Sequence, residues 1–357
     1  MYYHLQHKIF GKTMENTRRV TLKTIAKELG ISFSTVSKAM NDNPHIKKET
    51  KELIRQKAHE LGYSPNTSAR NLRTNKSHSI SIIFNDLANP ILTSIFDHIA
   101  TEMAKQNYST MVCDSKFDPF LERKHIVKAI ANGSDIIFLE PTSLSKKNFN
   151  LLNNWVDRVV LFGSSHPDIE TSKITINYFH GGYLSAKEIL EKGHSDAYTF
   201  TTTTDFPPSF EFVSGIKKAF NEYGLNYDSS KIIEMESSID DGFKYACKIL
   251  EDRKHNGKSH VSFITFCDIQ AIGIYKAADY FRLNIPNDIS VIGHDDYPFS
   301  PYVAPKLTTI NLPVNRIANN SIAAVKSILE SKNQRLIFNI EPTIVVRESV
   351  KNLWEEN

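Results

Sequence analysis

The apolar positions of the chain change their rhythm near residue 79. Ahead of it they recur three and four apart, as on short helices; beyond it, brief apolar runs alternate with helical stretches. In the first region Ile25, Ala26 and Leu29 form one stripe, with Thr21 or Thr24 placed to cap its helix. Val36, Ala39 and Met40 form a second stripe behind Ser32, another capping residue. The two segments meet at Gly30-Ile31-Ser32, which is the spacing of a helix-turn-helix, and a third helical pattern follows. On the second helix Phe33, Ser34, Ser37, Lys38 and Asn41 lie away from the apolar stripe. A face that polar on so short a helix needs a partner, and base edges and phosphates fit it.

Beyond residue 79 the pattern predicts strands over 80–84, 108–113, 135–139, 159–162, 197–200, 232–235, 261–264 and 289–292. Between them it predicts helices over 90–106, 121–132, 182–192, 210–222, 242–251 and 269–281. Such alternation means βαβ units and parallel sheets with helices on both faces. Sheets of this kind bind ligands beyond the carboxyl ends of their strands. The residues that follow strands are therefore candidates: Asn85 and Asp86, Asp114, Asn177, Asp205, Asp268 and Asp295. Gly293 is expected to let the backbone turn ahead of Asp295, and Thr201 to Thr204 read as a strand end entering a loop.

Charge sharpens the division. Residues 17–76 hold 13 Lys/Arg against 5 Asp/Glu, a net +8; with +1 from residues 1–16 and +3 overall, the body carries −6. A basic head on an acidic body confines phosphate binding to one end. The 357 residues suffice for two or three domains, and no apolar run approaches a membrane span. The amino terminus lacks the apolar core of a secretory signal, so a cytoplasmic protein is expected, with Met14 a candidate initiator. Cys113, Cys247 and Cys267 show no C-x-x-C spacing and read as buried or half-buried thiols. No nucleotide-binding glycine loop, H-E-x-x-H or G-x-S-x-G motif occurs, and histidines are not clustered at ligand spacing. Neither an enzyme nor a bound cofactor or metal is expected.

With these residues in view, the chain resembles the LacI family of bacterial transcriptional regulators over about 20–350. The head carries the resemblance through Val20 to Lys23, Gly30-Ile31-Ser32, Thr35 to Lys38, Asn41 to Pro44 and Leu61 to Asn66. Further matches are Ala69 to Arg73, Asp86 to Pro90, Gly193-His194, Asp268 to Gly273, Ile285 to Asp296 and Lys306 to Ile310. The resemblance implies an all-α helix-turn-helix head followed by an α/β, two-lobed, periplasmic-binding-protein-like domain with parallel sheets. The expected layout is a disordered extension over 1–17, the head over 18–64, a hinge helix or linker over 65–76, and an effector-binding and dimerisation domain over 77–357. One lobe would take about 78–176 and 311–338, the other about 177–308 and 341–355.

By position, the resemblance gives Phe33, Ser34 and Lys38 the choice of bases, and Thr21, Ser37, Asn41, His45 and Tyr63 phosphate or groove contacts. Lys38 stands where arginine is commoner; it favours guanine and phosphate without arginine's planar fork. Asn66, Ala69 and Leu72 fall on the hinge, with Leu72 as the minor-groove wedge. Effector contacts fall on Asp86, Asn89, Phe212, Asp268 and Asp295. The family's usual arginine is Phe212 here, Cys267 replaces a common asparagine, and Asn177 with Tyr178 replaces an Asp-Asn pair. The aromatic residues Phe84, Phe179, Phe206, Phe210, Phe212 and Tyr297 are candidates to stack on a sugar face.

The expected protein is a homodimeric repressor of a pseudo-palindromic duplex operator, controlled by a sugar-like small molecule and independent of membranes. Two rivals stay open: a regulator with a degenerate cleft that answers to a protein partner, and a solute-binding protein.

Overall fold

The computed structural model describes residues 20–63, 76–142, 146–165, 169–255, 260–330 and 334–356. They fall into two units, one within Met1–Asn75 and one within Lys76–Asn357.

The first unit is three helices, α1 (Leu22–Leu29), α2 (Phe33–Met40) and α3 (Lys48–Glu60). Thr21 caps α1 reciprocally: Thr24 N donates to the Thr21 hydroxyl at 3.3 Å, and Thr21 N donates to the Thr24 hydroxyl at 3.2 Å. Gly30 ends α1 in the left-handed region, φ 64°, and Ser32 caps α2 through Thr35 N at 3.0 Å. Ile25, Ala26, Val36, Ala39, Ile54 and Ala58 close the core.

The second unit holds two six-stranded sheets. In chain order its elements are β1 (Ser79–Phe84), α4 (Pro90–Ala104), β2 (Ser109–Asp114), α5 (Pro119–Ala131), β3 (Ile136–Leu139), α6 (Lys146–Phe149), β4 (Val159–Gly163) and β5 (Ser172–Ile176). There follow α7 (Tyr178–Glu191), β6 (Ala197–Thr201), α8 (Pro207–Glu222), β7 (Ile232–Glu234), α9 (Ile239–His255), β8 (Val261–Thr265), α10 (Asp268–Phe281) and β9 (Ile289–Asp295). The last are β10 (Thr308–Asn311), α11 (Val314–Leu329), β11 (Ile337–Ile340) and β12 (Thr343–Val345). The first lobe's sheet runs β11-β5-β4-β3-β1-β2 and is parallel throughout. The second runs β12-β10-β9-β8-β6-β7, antiparallel at β12 alone.

The chain passes between the lobes near residues 177, 312 and 341. Asn177 ties two of these passages together: its N–H donates to Ile340 O at 3.0 Å and its amide to Glu341 at 2.9 Å. α11 returns to the first lobe, where Lys326 pairs with Glu102 of α4 at 2.6 Å. In the second lobe α7 and α8 cross through glycines. A Cβ on Gly182 would lie 1.9 Å from Phe212 O, and one on Gly215 would lie 1.9 Å from Phe179 O. The helices therefore meet backbone to backbone.

Gly293 lies inside β9, and it does not make the turn expected of it. A side chain there would collide with Asp268, whose Oδ1 is 2.0 Å from the Cβ position. Cys113 and Cys247 are half-buried and Cys267 buried, all as free thiols. Among the described residues no helix is long and apolar enough to cross a membrane.

Candidate functional site

The head presents α2 outward. Val36 and Ala39 face the core, while Phe33 is 50% exposed and Ser34 and Lys38 are exposed beside it. Ser37 is half-buried, and its carbonyl accepts the Asn41 side-chain amide at 2.7 Å. Thr21 is exposed at the start of α1, with its hydroxyl engaged in the cap. His45 is exposed in the loop before α3, and Tyr63 is half-buried at its end. Asn66, Ala69 and Leu72 lie outside the described residues.

The second site lies between the lobes, at the carboxyl ends of both sheets. From the first lobe Asn85, Asp86 and Asn89 follow β1, and Glu140 follows β3. From the second come Asp295 at the end of β9, Phe266 and Cys267 after β8, Phe206 before α8 and Tyr178 at the start of α7. They enclose an inner cavity of about 40 Å³. It shares Asn85, Asp86, Phe117 and Ser237 with a mouth of about 770 Å³. The lobes touch here: Asn89 Nδ2 donates to Asp295 Oδ2 at 3.3 Å, and Phe117 meets Phe206 edge-on at 5.2 Å.

Backbone strain gathers at the same place. Asp295 has φ 99° and Asp296 φ 55°, while Lys116 and Phe117 across the cleft have φ 49° and 54°. Side chains rarely hold this region, and clusters of them mark functional sites. Arg347 holds Asp296 through a 2.7 Å ion pair. Buried His294 holds Asp295 through Nδ1 at 2.8 Å, and its ring clusters with those of Tyr178 and Phe266, each pair of the three 5.9 Å apart.

Of the five expected cleft residues, Asp86, Asn89 and Asp295 line the cavity. The other two are corrections. Phe212 is fully buried behind the wall, edge-on to Phe266 at 5.5 Å and His294 at 5.3 Å, so it supports the lining and does not join it. Asp268, also buried, points into the lobe and accepts from Tyr297 N, Ser300 Oγ and Thr309 Oγ1 at 2.7, 2.5 and 2.6 Å. It pins the loop after β9. Burial still raises its carboxyl to about 7, against the lowering effect of those bonds. Of the six aromatic candidates Phe206 lines the cavity; Phe84 and Tyr297 are buried, and Phe179 and Phe210 face solvent.

Glu140 and Phe266 were not singled out in the sequence. Both lie where the strand-end rule points: Glu140 directly follows β3, and Phe266 directly follows β8. Glu140 is buried and accepts from Asn85 N at 3.1 Å. Burial pushes its carboxyl up to about 8, with Asp86 and Asp295 adding repulsion. Asp86 is raised as well, chiefly by burial.

A helix-turn-helix with an outward reading face, joined to a two-lobed cleft domain, defines a class: DNA-binding regulators with a ligand-binding body. Residues 21–66 match the family of bacterial regulatory proteins, lacI family, and residues 186–350 match the periplasmic binding protein-like domain. The HTH-type transcriptional repressor PurR of Pasteurella multocida (strain Pm70) is 29% identical over 339 residues, covering 93% of this chain and 99% of the relative. Among solved structures, a LacI-family transcriptional regulator from Silicibacter pomeroyi has a TM-score of 0.81 at 18% identity, over 93% of this chain and 99% of that one. The lac repressor dimer bound to operator and the anti-inducer ONPF has a TM-score of 0.77 at 19% identity, over 94% and 100%. The chain belongs to the LacI family and is a DNA-binding transcriptional regulator, not an enzyme.

Proposed function

We propose that this regulator is a repressor that binds a pseudo-palindromic operator as a homodimer and is released or locked by a small molecule in the interlobe cleft. The observation that carries the DNA half is the exposed face of α2, with Phe33, Ser34 and Lys38 on the side away from the head core. Such a helix presents its exposed residues to base edges in the major groove. Thr21, Ser37, Asn41, His45 and Tyr63 would hold phosphates or groove walls. Asn66, Ala69 and Leu72 would form a hinge helix over 65–76 that orders against DNA, with Leu72 wedged at a base step. Support for repression comes from the PurR relative, a transcriptional repressor. Support for a dimer under small-molecule control comes from the lac repressor, a dimer bound to operator and an anti-inducer.

Asp86, Asn89 and Asp295 would contact the effector. The Asn89–Asp295 bond across the cleft supports a simple mechanism. A ligand that competes for either group changes how the lobes close and thereby biases the paired heads. The coupling is reciprocal: operator must change effector affinity by the same factor. A soluble, cytoplasmic location follows from this role. The direct test is selection of genomic fragments by the full chain. One inverted-repeat motif is expected; fragments without a symmetric motif would overturn the reading.

A further inference from the structure

We infer that the effector is a hydroxylated primary amine of the amino-sugar type, with its ammonium group in the inner cavity and its ring in the mouth. This rests on the reading that the cleft is the effector site.

Size makes the first argument. The inner cavity of about 40 Å³ is far narrower than the mouth of about 770 Å³, so a ligand's small head group suits the first and its ring the second. Chemistry makes the second. The cavity is walled by the carboxyl groups of Asp86, Glu140 and Asp295 and by the rings of Tyr178, Phe206 and Phe266, with no lysine or arginine among the described residues that line it. Carboxylates and aromatic faces together are what an ammonium group needs when it leaves water. An ammonium group would pair with Asp86 and Asp295, and an anion would be repelled by them.

The mouth continues the same character. Asp86, Asp114, Glu234, Glu236 and Asp241 face it, with Lys116 as the one cation among its described lining residues. A concave surface of one sign concentrates ligands of the other.

Independently, Asn85 asks for a ligand with an acceptor. It is 1% exposed and lines both the cavity and the mouth. Its Oδ1 is taken by the hydroxyls of Ser115 at 2.8 Å and Thr142 at 2.7 Å, while its Nδ2 has no hydrogen-bond partner among the described residues. A hydroxyl close to the ammonium group, at the junction of cavity and mouth, would accept from it.

The test is calorimetry and thermal shift on the full chain with glucosamine, galactosamine and mannosamine at millimolar concentration. Each is paired with its parent sugar and its N-acetyl form, and putrescine is run beside them. At least one amino sugar should bind about tenfold or more tighter than its parent and its N-acetyl form, a difference of about 1.4 kcal/mol. Asp86→Asn and Asp295→Asn should each erase that advantage. A parent sugar binding as tightly as its amine would overturn the inference and leave the cleft an effector site for neutral solutes. Putrescine binding without any amino sugar would overturn it too, because the hydroxyl would then play no part. If nothing in the panel binds, both this inference and the effector reading fall.

Discussion

Replacing Glu140 by glutamine separates the charge of the cleft from its shape. The amide is isosteric and its oxygen can still accept from Asn85 N, now bonded at 3.1 Å. What changes is the proton. In the folded protein burial raises Glu140 from 4.5 to about 8. The sign follows from linkage. Between those values the folded carboxyl keeps its proton while the unfolded one releases it, so wild-type stability is full below pH 4.5 and falls as pH rises toward 8. Each pH unit in that window costs on the order of 1 kcal/mol. Glutamine has no such dependence. The Tm of Glu140→Gln should therefore gain on wild type steadily from pH 5 to pH 8, by roughly 2–4 °C per pH unit for a domain of this size. Asp86, Glu122, Asp268 and Asp295 remain in both proteins, so the difference between the two curves isolates Glu140. Differential scanning calorimetry across that range is the assay. A difference that stays flat would refute a protonated Glu140.

Other consequences can be checked separately. Asp268→Ala leaves three buried donors without an acceptor, and at about 1–3 kcal/mol each it should lower the Tm of the cleft domain sharply in calorimetry. Gly215→Ala would set a Cβ against the Phe179 carbonyl at 1.9 Å; overpacking of this kind costs about 1–3 kcal/mol or more, read as a lower denaturant midpoint. Lys38→Ala should weaken operator binding by about 1–3 kcal/mol if it meets a base, whereas loss of a phosphate contact would lower the salt slope by about one. Leu72→Ala should reduce DNA bending in a gel assay while ligand binding in the cleft stays unchanged.

Much of the architecture was legible because periodicity and capping agree. Thr21, Ser32 and Gly30 bracket α1 and α2 as their chemistry suggests, and the central strands β3 and β4 are apolar and buried along their whole length, as buried parallel strands are. The elements at the chain's end were harder to see. β11 and β12 span four and three residues, and the strands they pair with lie far away in sequence or turn back antiparallel. α11 buries Ile317 and Val325 together with Ala318, Ser321 and Ala324, an apolar stripe at helical spacing that lies beyond the strand–helix alternation ending at Ile292. The cleft was half legible. The strand-end rule reaches Asp86, Asp295, Glu140 and Asp268 alike, but it does not say which way a side chain turns. Asp268 turns into the lobe because three donors await it there, and Glu140 faces the cavity against the cost of burial. Phe212 was drawn into the site by its position in the family pattern, while the glycine contact between α7 and α8 brings it behind the wall.

The central claim is that the exposed face of α2 reads bases. It is tested most directly by selecting bound genomic fragments with the wild-type chain and with Phe33→Ala and Ser34→Ala, then comparing the motifs. The account predicts one inverted repeat whose half-site spacing is kept in the variants while preference changes at the few bases under α2. An unchanged base preference in both variants would contradict it.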